Sequence, residues 1–243
     1  MTRKQTNPAA QTLAELEAQG DRLAEWSSEH AARILTVIAA VLVAAAAIGF
    51  YLQHRSDEQQ AAANALALAT SEYRQAMGAD PLGGEIPEPA NPSVAAQTRT
   101  TFSERFTQVA TTYPKTTSGA LAWLEAGQLS LDLGERDEAK SRFERARDAA
   151  GSSAIAALAW TRLAQLAEEA GSWPEAAQAY ESAAGIAAYP LRGNALGDAA
   201  RCWVSAGESD RALAAFQRLE SEFPDRAAPA PIESLLEETR ARS

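Results

Sequence analysis

Cysteine occurs once in this 243-residue chain, at Cys202, so the chain can close no internal disulfide and assemble no cysteine metal cluster. Histidine is nearly as scarce: His30 and His54 stand on opposite sides of a long apolar run and cannot meet, which removes the commonest general base. Aromatic residues make up 7% of the chain, and Gly and Pro gather in a few places, a composition that suits packed helices. A surplus of positive charge is missing too. The net charge is −10, residues 1–55 balance five basic against five acidic side chains, and the whole negative excess follows residue 55. A nucleic-acid binder displaces counterions from phosphates with Lys and Arg, so this region would repel nucleic acid, which is excluded as a partner.

Reactive combinations are absent as well. No phosphate-cradling glycine loop, metal-ligand spacing or nucleophile with its base occurs. "GERDEAK" at residues 134–140 and the pair Glu168-Glu169 read as solvated helix charges. Cys202, between Arg201 and Trp203 with no histidine near, reads as a buried small side chain rather than a reactive thiol. Neither an enzyme nor a cofactor or metal site is expected.

What the chain does have begins with "ILTVIAAVLVAAAAIGFYL", Ile34 to Leu52, which carries no charge and one aliphatic hydroxyl, Thr36. A helix of this length rises about 28 Å, the thickness of the hydrocarbon layer. A buried helix of a soluble domain is rarely apolar all round for five turns. A cleavable signal needs a short basic start and a small-x-small site just past the run. Here five acidic residues precede the run, and an Ala-x-Ala such as Ala65 to Ala67 comes only after a charged segment. The run is therefore expected to stay in the lipid bilayer as an anchor. Arg3, Lys4, Arg22 and Arg33 precede it and Arg55 follows, a bias that places the N-terminus in the cytoplasm and residues 56–243 across the membrane.

Ahead of the run, Leu13, Leu16, Leu23 and Trp26 recur at helical spacing, as in a short helix floating its apolar side in the headgroups. Beyond it no Gly or Pro occurs between Phe50 and Met77, so the membrane helix should continue into water as one rod. That rod shows Ala62, Leu66, Ala69 and Tyr73 on one face, which needs something to pack against. "GADPLGGEIPEPANPS" then reads as a loop.

From Thr98 onward the sequence repeats. Trp123 and Trp160, Gly134 and Gly171, Ala139 and Ala176, Phe143 and Tyr180, and Ala146 and Ala183 share one offset, and Gly207, Ala212 and Phe216 answer in a third copy. Such a period marks a solenoid of helix pairs. The Gly supplies a left-handed cap that reverses the chain, the small Ala lets two helices approach, and the aromatic fills the space they leave. "FSERFTQVATTYP", Phe102 to Pro114, reads as a second helix whose first helix is either missing or supplied by the rod.

These residues resemble the tetratricopeptide repeat: Trp123, Gly127, Gly134, Ala139, Phe143 and Ala146 meet its pattern, as do Trp160, Ala164, Gly171, Ala176, Tyr180 and Ala183. The third copy departs, with Leu196 for the Trp and Leu219 for the last Ala, although Pro224 closes it. The fold class is thus all-α: an N-terminal transmembrane helix continuing into a rod, then an α-solenoid of tetratricopeptide-like helix pairs. Its expected parts are a cytoplasmic segment over 1–32, the membrane helix over 33–54, a helical extension over 55–78, a Pro/Gly-rich loop over 79–97, repeats over 98–224 and a tail or capping helix over 225–243. The order of "LAEWSSEHAARILTV", one span, a rod, a half-repeat and "SGALAWLEAGQL" is similar to the YfgM family of inner-membrane proteins. That resemblance implies an ancillary subunit of the SecYEG translocon working beside a periplasmic chaperone.

A solenoid works through the concave face lined by its first helices. The groove offsets of the repeat family would place there Leu121, Leu124, Gln128, Asp132, Thr161, Gln165, Glu168, Asn194 and Arg201. With one basic residue, this face does not suit a peptide's C-terminal carboxylate. It suits an extended or helical peptide, or else it packs on the rod or simply meets solvent. The expected function is a membrane-anchored protein-binding scaffold. The alternative is an envelope scaffold of cell division or outer-membrane assembly, with a second copy of the chain as partner, a homo-oligomer formed through the rod.

Overall fold

The computed structural model describes Trp26, residues 30–80 and 83–225, Ile232 and Ser234. Eight helices have described bounds: α1 (Ala31–Ala76), α2 (Pro92–Thr112), α3 (Thr117–Asp132), α4 (Arg136–Ala150), α5 (Ala154–Glu169), α6 (Trp173–Ala184), α7 (Arg192–Ser205) and α8 (Ser209–Glu222). No strand occurs among the described residues. The helix expected around Leu13, Leu16 and Leu23 lies outside them. By its contacts the chain divides into two compact units, Met1–Ser56 and Asp57–Ser243.

The first unit holds the apolar start of α1. Its large side chains from Leu35 to Leu52 are between 49% and 77% exposed, and this stretch is long and apolar enough to cross a membrane. Thr36 Oγ1 donates to the Ala32 carbonyl at 2.7 Å, so the one aliphatic hydroxyl of the run is satisfied within the helix, as a hydrocarbon surrounding would require.

The second unit is the stack of helices, each packed on the next from α2 to α8. Its turns form for the expected reason. Gly134, Gly171 and Gly207 have φ of 78°, 72° and 76°, the left-handed region that a side chain disfavours. After each, an amide closes the preceding helix: Glu135 N donates to Ser130 O at 2.8 Å, Ser172 N to Ala167 O at 2.8 Å, and Glu208 N to Trp203 O at 2.9 Å. The next helix then folds back. Ala139, Ala176 and Ala212 are fully buried where the paired helices touch, and Phe143, Tyr180 and Phe216 fill the space beside them. At Gly127 the fit leaves no room: a Cβ would stand 2.6 Å from the Phe143 ring.

The half-repeat is completed by the rod. Ala62 and Ala69 are fully buried, and Tyr73 meets the rings of Phe102 and Phe106 at 5.5 and 6.4 Å between centroids. The face that needed a partner thus packs against α2 as the missing first helix, and Leu66 lies at the same core. Residues 92–97 are helical rather than part of the loop, because Asn91 Oδ1 accepts from Ser93 N at 3.0 Å and Pro92 occupies the first helical position. Arg142, which carries no repeat signature, ties this region together. Its guanidinium donates to the Ala126 carbonyl at 3.1 Å, to Ser130 Oγ at 2.8 Å and to Ser103 Oγ. At the other end, Ile232 is fully buried in the cluster built around α6, α7 and α8.

Candidate functional site

The first helices of the three full repeats are α3, α5 and α7, and the nine residues expected to line a groove all lie on them. Between α3 and α5 the structure opens a cavity of about 370 Å³ with Leu121, Leu124, Phe143 and Leu158 as its apolar walls. Glu125, Gln128 and Arg162 supply its polar lining. The cavity thus brings together Leu121, Leu124 and Gln128 of the expected set and adds four residues outside it. Leu158 is the most telling addition, because 42% of it is exposed although it sits on a helix whose other face is core.

Several expected residues bond to one another or to their own helix. Gln128 Nε2 donates to Asp132 Oδ1 at 2.9 Å, Thr161 Oγ1 donates to the Ala157 carbonyl at 2.9 Å, and Gln165 Oε1 accepts from Arg162 Nη1 at 3.0 Å. Asp132 also faces Arg99 Nε at 3.8 Å, and Arg99 in turn clasps Glu88 of the Pro-rich segment with two guanidinium nitrogens. Asn194 lies exposed on α7, away from the cavity lining.

Glu168 and Arg201, both expected to face a ligand, form a 2.8 Å ion pair that joins α5 to α7. Burial works against the Glu168 carboxylate, but hydrogen bonds from Arg201 and Tyr180 outweigh it and hold its pKa below the usual carboxylate range. The charged form, and with it the bridge between repeats, therefore persists below the pH at which an ordinary glutamate protonates. These two residues serve repeat-to-repeat cohesion. Nearby, burial followed by the negative field of Glu168 pushes the Cys202 thiol up to about 12. At pH 8 roughly one molecule in ten thousand then carries a thiolate, so native protein should resist a thiol reagent for hours that labels the urea-unfolded chain within minutes. Equal labelling rates of the two forms would contradict this.

Among the described residues, no group of three His, Cys, Asp or Glu side chains could hold a metal ion. A stack of helix pairs in register, with a cavity between the first helices α3 and α5, defines a repeat scaffold. The family model of the tetratricopeptide repeat-like domain matches residues 24–230, and the chain belongs to that family. Such domains mediate contacts between proteins and are generally non-catalytic. The match begins before the apolar stretch, so that helix lies within the family's own pattern along with the repeats. No curated protein matches the chain.

Proposed function

We propose that this protein is a single-pass membrane scaffold, with its N-terminus in the cytoplasm and its acidic repeats across the inner membrane in the periplasm. There it binds proteins as an accessory of the SecYEG translocon and a periplasmic chaperone. The observation that carries the anchoring is the bare apolar stretch of α1: a soluble monomer rarely exposes a contiguous apolar surface of more than a few hundred Å², and here every large side chain from Leu35 to Leu52 is open. The family match from residue 24 supports an anchor that belongs with the repeats. The cavity between α3 and α5 supports binding through the first helices.

A topology reporter fused after Ser243 tests the placement: alkaline phosphatase should be active and green fluorescent protein dark, and the reverse would remove the reading. Detergent extracts should carry translocon subunits with the tagged chain, and their consistent absence across several cross-linkers would count against the accessory role. The rod face that would serve self-association is covered, since Ala62 is fully buried and Leu66 packs at the first repeat core.

A further inference from the structure

We propose that the end of the stack at which α3, α5 and α7 begin lies on the headgroup layer of the bilayer, with the connection over residues 185–191 setting its apolar side chains among the lipids. This rests on the reading of α1 as a membrane anchor and gives the repeats a second attachment to the same membrane.

The chain itself brings that end there. Asp57, the first residue of the second unit, follows Leu52 at the close of the apolar run by five residues, which span at most about 18 Å in any conformation. Within the second unit, Thr117 N donates to Gln59 Oε1 at 3.4 Å, so the turn before α3 stands at the foot of the rod. Each helix folds back on the one before it, and the connections after α2, α4 and α6 therefore share this end. Arg192 marks it at the last repeat: Nε donates to the Ala184 carbonyl at 2.7 Å, where α6 ends, and Nη2 meets Glu222, where α8 ends.

Composition separates this end from the other. Residues 113–116, 151–153 and 185–191 carry one charge, Lys115, whereas the connections at the opposite end carry Asp80, Glu85, Glu88, Glu135 and Glu208. A surface of lipid phosphates tolerates the first set and repels the second. Residues 185–191 add apolar surface. Leu191 is 46% exposed, and Ala187, Ala188 and Pro190 are exposed beside it. Tyr189 beneath them is buried, and its hydroxyl lies 3.3 Å from Thr161 Oγ1, which pins the connection to the stack with its apolar side open.

Such side chains leave water favourably at the boundary between headgroups and acyl chains. Asp57 and Glu58 at the foot of the rod stay hydrated, so this end settles among the headgroups and no deeper. The contact is small, but α1 tethers the stack beside the surface at a high effective concentration, so a few apolar side chains decide between docked and free.

The test uses the full chain in phosphatidylcholine nanodiscs that carry a nitroxide on the lipid headgroup, with an environment-sensitive fluorophore on one introduced cysteine. Cys202 is buried and stays unlabelled. The fluorophore at Ala188→Cys should be quenched at least about threefold more strongly than at Ser209→Cys, which lies at the other end of α8, a 14-residue helix that rises about 21 Å. Adding Leu191→Asp to Ala188→Cys should bring its quenching to within about twofold of the Ser209→Cys level. All three positions are exposed, so circular dichroism should show the wild-type helix content. Equal quenching at the two sites, or quenching at Ala188→Cys that ignores Leu191→Asp, would overturn the inference and leave the anchor standing. A chain that fails to enter nanodiscs would remove the anchor, and the inference with it.

Discussion

A fragment beginning at residue 92 should be less stable than one beginning at residue 57, by about 5 kcal/mol on the scale of burying several apolar side chains. The longer fragment keeps the part of α1 that carries fully buried Ala62 and Ala69, the buried Met77 just past its end, and Tyr73 against Phe102 and Phe106. Without it, α2 has no partner on that side, and Phe106, which is 1% exposed in the whole chain, is laid open. Since domains are stable by only about 5–15 kcal/mol, this difference decides whether the first repeat folds at all. Urea titrations followed by circular dichroism should show a lower midpoint for the shorter fragment or an early separate transition, as nearest-neighbour repeat energetics allow. Coincident curves would show that α1 adds nothing to the stack.

Replacing Gly119 by alanine should cost about 3 kcal/mol, the upper end of ordinary overpacking penalties. Gly119 lies in the first turn of α3, where its amide donates to the capping Thr116 Oγ1 at 2.9 Å. A Cβ there would overlap the Tyr113 carbonyl oxygen and stand 3.0 Å from the carbonyl carbon. The obstacle is backbone, and that backbone is fixed, because Tyr113 O accepts from Thr116 N at 3.2 Å and Thr116 Oγ1 at 2.9 Å. The helix start, the cap and the turn before it would have to move together. Gly134→Ala makes the comparison, since nothing lies within 4 Å of its Cβ and only its φ of 78° is strained. It should lose about 1–2 kcal/mol. Equal losses for the two variants, measured by chemical denaturation, would mean that the Tyr113 turn yields more readily than its hydrogen bonds suggest.

Sequence revealed the repeat because the same physical requirement recurs at one offset: a left-handed cap at Gly134, Gly171 and Gly207, a small contact at Ala139, Ala176 and Ala212, a filler at Phe143, Tyr180 and Phe216. Gly119 and Arg142 escaped this logic because each answers a local need that no other copy shares. The start of α2 was written in Asn91-Pro92, a cap followed by a first-turn proline, but the surrounding prolines hid it. For the candidate groove, the offsets of the repeat family pointed to the first helices, and Leu121, Leu124 and Gln128 of that set line the cavity between α3 and α5. Spacing could not tell that Glu168 and Arg201 satisfy each other across α5 and α7, which depends on how far apart two repeats stand. One signal for the residues it passed over was present. Leu121 and Leu158 occupy the same place in successive copies, and so do Glu125 and Arg162, with opposite charge.

The shared geometry of the turns at Gly134 and Gly171 has a bearing on how a protein of this kind changes length. Each turn closes on its own amides, and ion pairs such as Lys140 to Glu175, at 3.0 Å, join one copy to the next. Insertions of one or two residues inside a helix would rotate buried alanines out of the core, whereas a duplicated whole repeat would present the same faces to both neighbours. One end of the stack is already closed by α1, so such growth is confined to the interior and the far end. Length in this molecule is therefore quantised, and the smallest step that conserves its packing is a complete helix pair.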